Sequence, residues 1–366
     1  MKDRFDRTIH YMRISVTDRC NLRCRYCMPA EGVTLFPSSD ILSFEEIVSV
    51  CRAAVSLGIT DFRLTGGEPL VRRDLPKLVS MIAKIPGISS LGMTTNGILL
   101  AGLARELAQA GLTSVNISLD TFVPEDFRFI TRCDQLDAVL AGIDAAQEAG
   151  LKVKINTVLL AGEFFPSGEE GWRSVLPLAK DRPIPVRFIE LMPIGEGARF
   201  PAVPADDVLR ELTALFAGIR PDNTVYGNGP AEYYRIPGFA GSIGLIRAVH
   251  GHFCGDCSRI RLSADGHIRP CLCREESFDV RGVLRGEKTQ TMRKNSAGIA
   301  KPAGGTAAQE PLCMQREEAV REVLCRAILA KPAAHDLEQR LAAGEGSLAG
   351  RSGEAAAGQK MVSIGG

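Results

Sequence analysis

Neither sign of charge dominates this chain of 366 residues: 44 Lys+Arg stand against 43 Asp+Glu, for a formal net charge of +1. That balance excludes a broadly basic nucleic-acid binder and an acidic, tail-like protein, while leaving room for a local basic site. The sequence also lacks any run near the ~18 apolar residues of a membrane span. Its opening residues, Met1-Lys2-Asp3-Arg4-Phe5-Asp6-Arg7, hold no apolar segment of the signal-peptide kind. We therefore expect a cytoplasmic protein with no membrane and no nucleic-acid partner. Parity is missing from the cysteines: 11 cannot all pair, and they are too dilute for a small disulfide scaffold. In a reducing compartment, clustered cysteines point to metal or redox chemistry before disulfides.

With 45% hydrophobic and 24% charged residues, the chain has the composition of a globular protein of one large or two ordinary domains. From about 12 to 216, short β-branched runs alternate with amphipathic segments. Strands are expected at 12–17, 61–65, 90–95, 114–120, 153–159 and 185–191, and helices at 43–57, 74–85, 99–110, 135–149 and 171–179. Ser43-Phe44-Glu45-Glu46 reads as a capping box. Gly58, Gly111 and Gly150 stand where a left-handed residue closes a helix. Six βα repeats imply a parallel sheet, either open and doubly wound or a partial barrel; spacing does not choose between them. Beyond 217 the pattern turns to short strands and loops. Residues 288–312 read as a flexible insertion, followed by a helix at 315–329, and 343–360 are again rich in Gly, Ala and Ser.

Two cysteine clusters carry the chemistry. Cys20-Asn21-Leu22-Arg23-Cys24-Arg25-Tyr26-Cys27 follows the first strand. Three thiolates in one loop can wrap a face of an iron–sulfur cube and leave its fourth iron open. The alternative is structural zinc, which closes its site with four ligands, and His10 is the nearest histidine. The second cluster is Cys254-Gly255-Asp256-Cys257 with Cys271. Cys273, His250 and His252 lie close enough in sequence to close a zinc site instead. Between its cysteines, Arg259 and Arg261 would point the same way on a strand, and forked guanidinium donors suit phosphate.

The spacing C-x₃-C-x₂-C after a first strand resembles the radical S-adenosylmethionine enzymes, whose scaffold is a partial (β/α)₆ barrel. The resemblance implies an α/β fold of that kind over 1–216, with a C-terminal auxiliary iron–sulfur region over 217–342 and a tail over 343–366. Both clusters together, with Arg13-Ile14-Ser15-Val16-Thr17-Asp18-Arg19-Cys20-Asn21, Arg63-Leu64-Thr65-Gly66-Gly67-Glu68-Pro69 and the terminal Ile364-Gly365-Gly366, are similar to the GTP 3′,8-cyclases of molybdenum-cofactor biosynthesis. That family resemblance implies two [4Fe–4S] clusters, on Cys20, Cys24 and Cys27 and on Cys254, Cys257 and Cys271. It implies S-adenosylmethionine held by Tyr26, Gly66, Gly67, Glu68, Ser118 and Met192. GTP would be held by Arg13, Arg63, Thr94, Lys154, Arg259, Ile260 and Arg261, with Arg259, Arg261, Gly365 and Gly366 near the reaction. A 5′-deoxyadenosyl radical would take H3′ of GTP, and the C3′ radical would add to guanine C8. An external electron donor, a homodimer and hand-over of the product to cyclic pyranopterin monophosphate synthase are further implications. Two other readings stay open: a radical maturase acting on a peptide, and a non-catalytic zinc or iron–sulfur module.

Overall fold

The computed structural model describes residues 1–201, 203–251, 253–287 and 312–337, with backbone only at 312–315. Most of the insertion expected at 288–312, the tail at 343–366, and Gly365 and Gly366 with it, lie outside these residues.

Six strands alternate with helices as the apolar pattern requires: β1 (Tyr11–Ser15), β2 (Asp61–Thr65), β3 (Ser90–Thr95), β4 (Ser114–Ser118), β5 (Lys152–Leu159) and β6 (Val186–Glu190). The helices between them are α1 (Phe44–Ser56), α2 (Leu75–Ala83), α3 (Leu100–Gln109), α4 (Pro124–Thr131), α5 (Leu136–Glu148), α6 (Gly171–Ser174) and α7 (Leu176–Asp181). The capping box forms: Glu46 N donates to Ser43 Oγ at 3.1 Å, and Ser43 N donates to Glu46 Oε2 at 2.7 Å. The segment expected as one helix at 171–179 is two short ones, because Pro177 has no N–H to continue a helix through Val175 and so opens the second.

The C-terminal region adds α8 (Ala205–Leu215), β7 (Arg220–Pro221), β8 (Glu232–Arg235), β9 (Ile243–Ile246), β10 (Arg259–Leu262), β11 (His267–Arg269), β12 (Phe278–Asp279), α9 (Arg281–Arg285) and α10 (Leu312–Leu329). Its strands extend the same sheet at both edges, in the order β12-β11-β10-β1-β2-β3-β4-β5-β6-β9-β8-β7. Eight neighbours, from β10 to β9, run parallel. The six repeats legible in the sequence are therefore flanked by one further parallel strand on each side.

Alternation then sorts the side chains. Met12 and Ile14 of β1, Phe62 and Leu64 of β2, and Ile260 and Leu262 of β10 enter one apolar core shared with α1, α2 and α10. Their neighbours in sequence face the other way, into a cavity. Because that cavity is lined from β10 through β6, the sheet must curl around it. Among the described residues, no helix is long and apolar enough to cross a membrane.

Candidate active site

The cavity measures about 1110 Å³, at or above the ~300–1,000 Å³ usual for a small-molecule site. All six expected cluster cysteines line it, as do Arg13, Tyr26, Arg63, Gly66, Gly67, Glu68, Thr94, Ser118, Lys154, Met192, Arg259 and Arg261. One expected substrate residue does not. The Ile260 side chain is fully buried in the apolar core, because it alternates with the two arginines that face inward. Only its backbone is left to meet a ligand.

At one end, the loop after β1 presents Cys20, Cys24 and Cys27. It is pinned by α4, which the sequence reading missed. Arg23 N and Arg25 N donate to the carbonyls of Thr131 and Ile130, at 3.1 and 3.0 Å. Arg132, left-handed at the end of α4, returns its guanidinium to the carbonyls of Arg23 (2.6 Å) and Met28 (3.1 Å). Pro124 followed by Glu125 and Asp126 was the available signal for this helix start. Burial pushes the Cys20 thiol up to about 11 and that of Cys27 up to about 12; Asp120 adds to the shift of Cys27, and Glu68 to that of Cys20.

The turn after β2 closes against this loop. A Cβ on Gly66 would lie 2.6 Å from the Thr17 carbonyl, so only glycine fits there. Gly67 N donates to that same oxygen at 2.9 Å. The Glu68 carboxylate is already committed, accepting from Thr95 Oγ1 (2.7 Å), Asn96 N (2.6 Å) and Leu70 N (3.0 Å). It clamps the ends of β2 and β3 rather than reaching openly into the cavity, and burial raises it to about 7. Beyond β4, Asp120 accepts from Tyr26 Oη (2.7 Å) and Val158 N (2.9 Å) and is pushed up to about 6 by burial.

Mid-sheet, cations are stacked by register. Arg261 of β10 pairs with Arg13 of β1, and Arg13 pairs with Arg63 of β2. Adjacent strands lie ~4.8 Å apart, and like charges directly opposite repel. The next position along this row is Gly92 of β3. A Cβ there would meet the Arg63 guanidinium at 2.6 Å. Its absence lets Arg63 reach across to Met93 O (2.8 Å), Ser114 Oγ (3.3 Å) and, through Nε, Tyr11 Oη (2.7 Å). Burial first, then the neighbouring arginines, hold Arg13 well below its ordinary range and Arg261 down to about 10. Arg187 of β6, buried and bonded to Asn156 Oδ1 at 2.5 Å, extends the basic wall. It was missed, although Arg187 and Glu190 are charges inside a strand expected to be buried at 185–191, which is itself a signal.

At the other end stand Cys254, Cys257 and Cys271. Cys273 is buried beside Ile194 and Leu337, and its thiol donates to Cys271, which lowers the Cys271 pKa and raises its own. His250 turns instead to Glu190, 3.2 Å away. Among the described residues, no three His, Cys, Asp or Glu side chains converge on a single metal ion. The donor set facing the cavity in each triad is sulfur, spread over a wall, which suits a cluster taking one thiolate per iron.

Comparison with known proteins places this geometry. The Radical SAM superfamily model matches residues 14–165, and the Molybdenum Cofactor Synthesis C model matches 184–301. A GTP 3′,8-cyclase of Moorella thermoacetica is 45% identical over 80% of this chain and 90% of its own length. One from Alkaliphilus oremlandii is 41% identical over 92% of this chain and 95% of its own. The chain belongs to the GTP 3′,8-cyclase family. In fold, it also matches Streptococcus suis SuiB bound to S-adenosylmethionine, with a TM-score of 0.54 at 14% identity over 74% of this chain and 63% of that one. For a GTP 3′,8-cyclase family member, sulfur triads at opposite ends of a basic cavity are an interpretable arrangement, and iron–sulfur chemistry with S-adenosylmethionine is the superfamily's common ground.

The basic wall makes one pH prediction. Burial first, then Arg187, Arg63 and Lys152, hold Lys154 down to about 7, against an ordinary 10.5. Between those values the unfolded chain binds the extra proton and the folded one does not, so this group's contribution to stability rises with pH from about 7 to about 10.5. Lys154→Met is expected to flatten that part of a melting-temperature profile. An unchanged slope would remove Lys154 as its source.

Proposed function

We infer that the chain is a radical S-adenosylmethionine GTP 3′,8-cyclase acting in molybdenum-cofactor biosynthesis. The observation that carries this reading is the in-register row of Arg261, Arg13 and Arg63 between two sulfur triads in one cavity. A row of three like charges facing one cavity, Arg261 buried and Arg13 and Arg63 half-buried, suits a polyanion, and a triphosphate supplies several negative oxygens in a small volume.

In this reading, Cys20, Cys24 and Cys27 would hold one [4Fe–4S] cluster and Cys254, Cys257 and Cys271 another, three thiolates for four irons in each case. S-adenosylmethionine lies along Tyr26, Gly66, Gly67, Ser118 and Met192. When bound, the first cluster and S-adenosylmethionine would supply the 5′-deoxyadenosyl radical that removes H3′ of GTP; closure of C3′ onto C8, with uptake of one electron from the external donor and one proton, would give 3′,8-cyclo-7,8-dihydroguanosine 5′-triphosphate. The chain's own residues position the substrate. Arg13, Arg63, Lys154, Arg259 and Arg261 hold the triphosphate, with Arg63 kept in place by Tyr11, Met93 and Ser114. Thr94 lies one residue beyond Met93, on the cavity side of β3. Asp120 fixes the Tyr26 ring by accepting a hydrogen bond from its hydroxyl, and Glu68 keeps the Gly66–Gly67 backbone against the first triad. The 225–230 loop also lines the cavity, opposite part of the basic wall: a Cβ on Gly227 would lie 3.0 Å from Lys154 Nζ. Gly365 and Gly366, an external electron donor, a homodimer and transfer of product to cyclic pyranopterin monophosphate synthase belong to the same reading.

The test is anaerobic reconstitution followed by incubation with S-adenosylmethionine, a low-potential reductant and one nucleotide. The protein should bind about eight irons and form deoxyadenosine with GTP but only at background with ATP. Equal deoxyadenosine with either nucleotide, or none with GTP at full iron content, would count against the assignment.

A further inference from the structure

Lys331 is a buried ammonium with a placement that the reaction as described leaves unused. It is 2% exposed and lines the cavity beside the second triad. Its Nζ donates to the carbonyl of Arg259 at 2.8 Å and to that of Pro270 at 3.0 Å. Arg259 lies two residues after Cys257, and Pro270 immediately precedes Cys271. One amine therefore ties together the two backbone segments that present these cysteines. A buried charge of this kind is costly unless it is paired and hydrogen-bonded. Two carbonyls supply hydrogen bonds but no countercharge.

The Lys331 segment is itself held from a distance. Arg7 Nη1 donates to the carbonyls of Cys254 (2.8 Å) and Ala333 (2.9 Å), and Arg7 Nη2 donates to that of Pro332 (2.7 Å). Arg7 is locked in turn by a buried ion pair with Asp3 at 2.6 Å. Arg7 thus fixes Cys254 against the Lys331 segment, while Lys331 fixes the other two. The first triad has neighbours of the other sign: Asp120 and Glu68 lie in the cavity wall beside it, while Arg132 of the neighbouring helix donates to the loop's own carbonyls at Arg23 and Met28. The two ends of one cavity therefore differ in the sign of the charge nearest the sulfurs.

We propose that Lys331 is a positioning residue of the second cysteine triad, whose buried positive charge offsets the thiolates there and makes a cluster at that site easier to reduce. Net charge and hydrogen bonding around the sulfurs are the levers by which a protein sets a cluster's potential. The inference rests on the reading that the second triad holds a cluster, and iron content reports on that reading separately.

The experiment uses the full chain with Cys20, Cys24 and Cys27 replaced by Ala, so that only the second site can load, reconstituted anaerobically. In this background, Lys331 is compared with Lys331→Arg and Lys331→Met for iron content, for midpoint potential followed by electron paramagnetic resonance, and for melting temperature. Lys331→Met should either keep its iron with a more negative potential or lose iron selectively, while Lys331→Arg stays near the parent in both. A potential unchanged in Lys331→Met at full iron content overturns the proposal. So does equal loss of iron or of folding in both variants, because retained charge would then make no difference. Absence of iron from the parent itself overturns the cluster reading, and this proposal with it.

Discussion

Cys24→Ala is expected to abolish deoxyadenosine formation while leaving the fold and the second triad's iron in place. Cys24 lies in the loop fastened by α4 through backbone donors and Arg132, none of which involves its sulfur. Burial first, then the adjacent Cys27 and Asp120, push its thiol well above its ordinary range, so it is neutral in the unloaded protein and alanine removes no charge there. On the proposed reading, two thiolates would leave one iron of the first cluster without its protein ligand, and S-adenosylmethionine cleavage would fail with it. Cys51→Ala is the matching control. Cys51 is fully buried in α1, away from the cavity, and its loss should cost about 1 kcal/mol of stability with iron and turnover kept. Iron analysis, urea unfolding and deoxyadenosine assay on both variants decide the matter. Turnover surviving in Cys24→Ala would detach the first triad from the chemistry.

The second large effect is expected at the arginine row. Arg261→Met should weaken GTP binding by about 10- to 100-fold, the loss of one hydrogen bond to a charged group at ~1.5–3 kcal/mol. The same change should hold or raise the melting temperature of the ligand-free protein. Arg261 stands in register with Arg13, and both are depressed by burial and by the positive charges around them; an unbranched apolar side chain of similar reach ends that repulsion. Binding of guanosine, measured by calorimetry beside GTP, separates the roles. If Arg261 reads phosphate, guanosine affinity changes little. An equal loss for both ligands would move Arg261 to the base.

The family, the repeats and the two cysteine spacings are legible in the sequence alone. The two cysteine spacings are local, and local spacing survives folding. The six βα repeats and the three closing glycines are likewise short-range: Gly58, Gly111 and Gly150 all adopt positive φ. Residues whose meaning depends on distant partners escaped. Ile260 came with its arginine neighbours from the family resemblance, whereas strand alternation sends its side chain to the core. Arg187 was read as part of an apolar strand, because nothing local says that Asn156 waits on the next one. Lys331 sits in a short Lys-Pro-Ala-Ala-His segment that the family resemblance covers, but its role escaped, because its two acceptors are 72 and 61 residues away in sequence. The roles of β9 and β10 were hidden for the same reason, since a strand's neighbours are set by register rather than by chain order.

That placement of β10 bears on how the protein is made. β1 pairs with β2 on one side and with β10 on the other, so its second edge stays open until the ribosome has delivered residue 262. Long-range pairing of this kind is slow and leaves an aggregation-prone edge exposed meanwhile. The nascent chain therefore passes through a stage with the first cysteine loop complete and the second not yet emerged. Any loading of iron during synthesis would reach the two sites in that order, and slowed elongation would lengthen the interval in which a half-built sheet needs shelter.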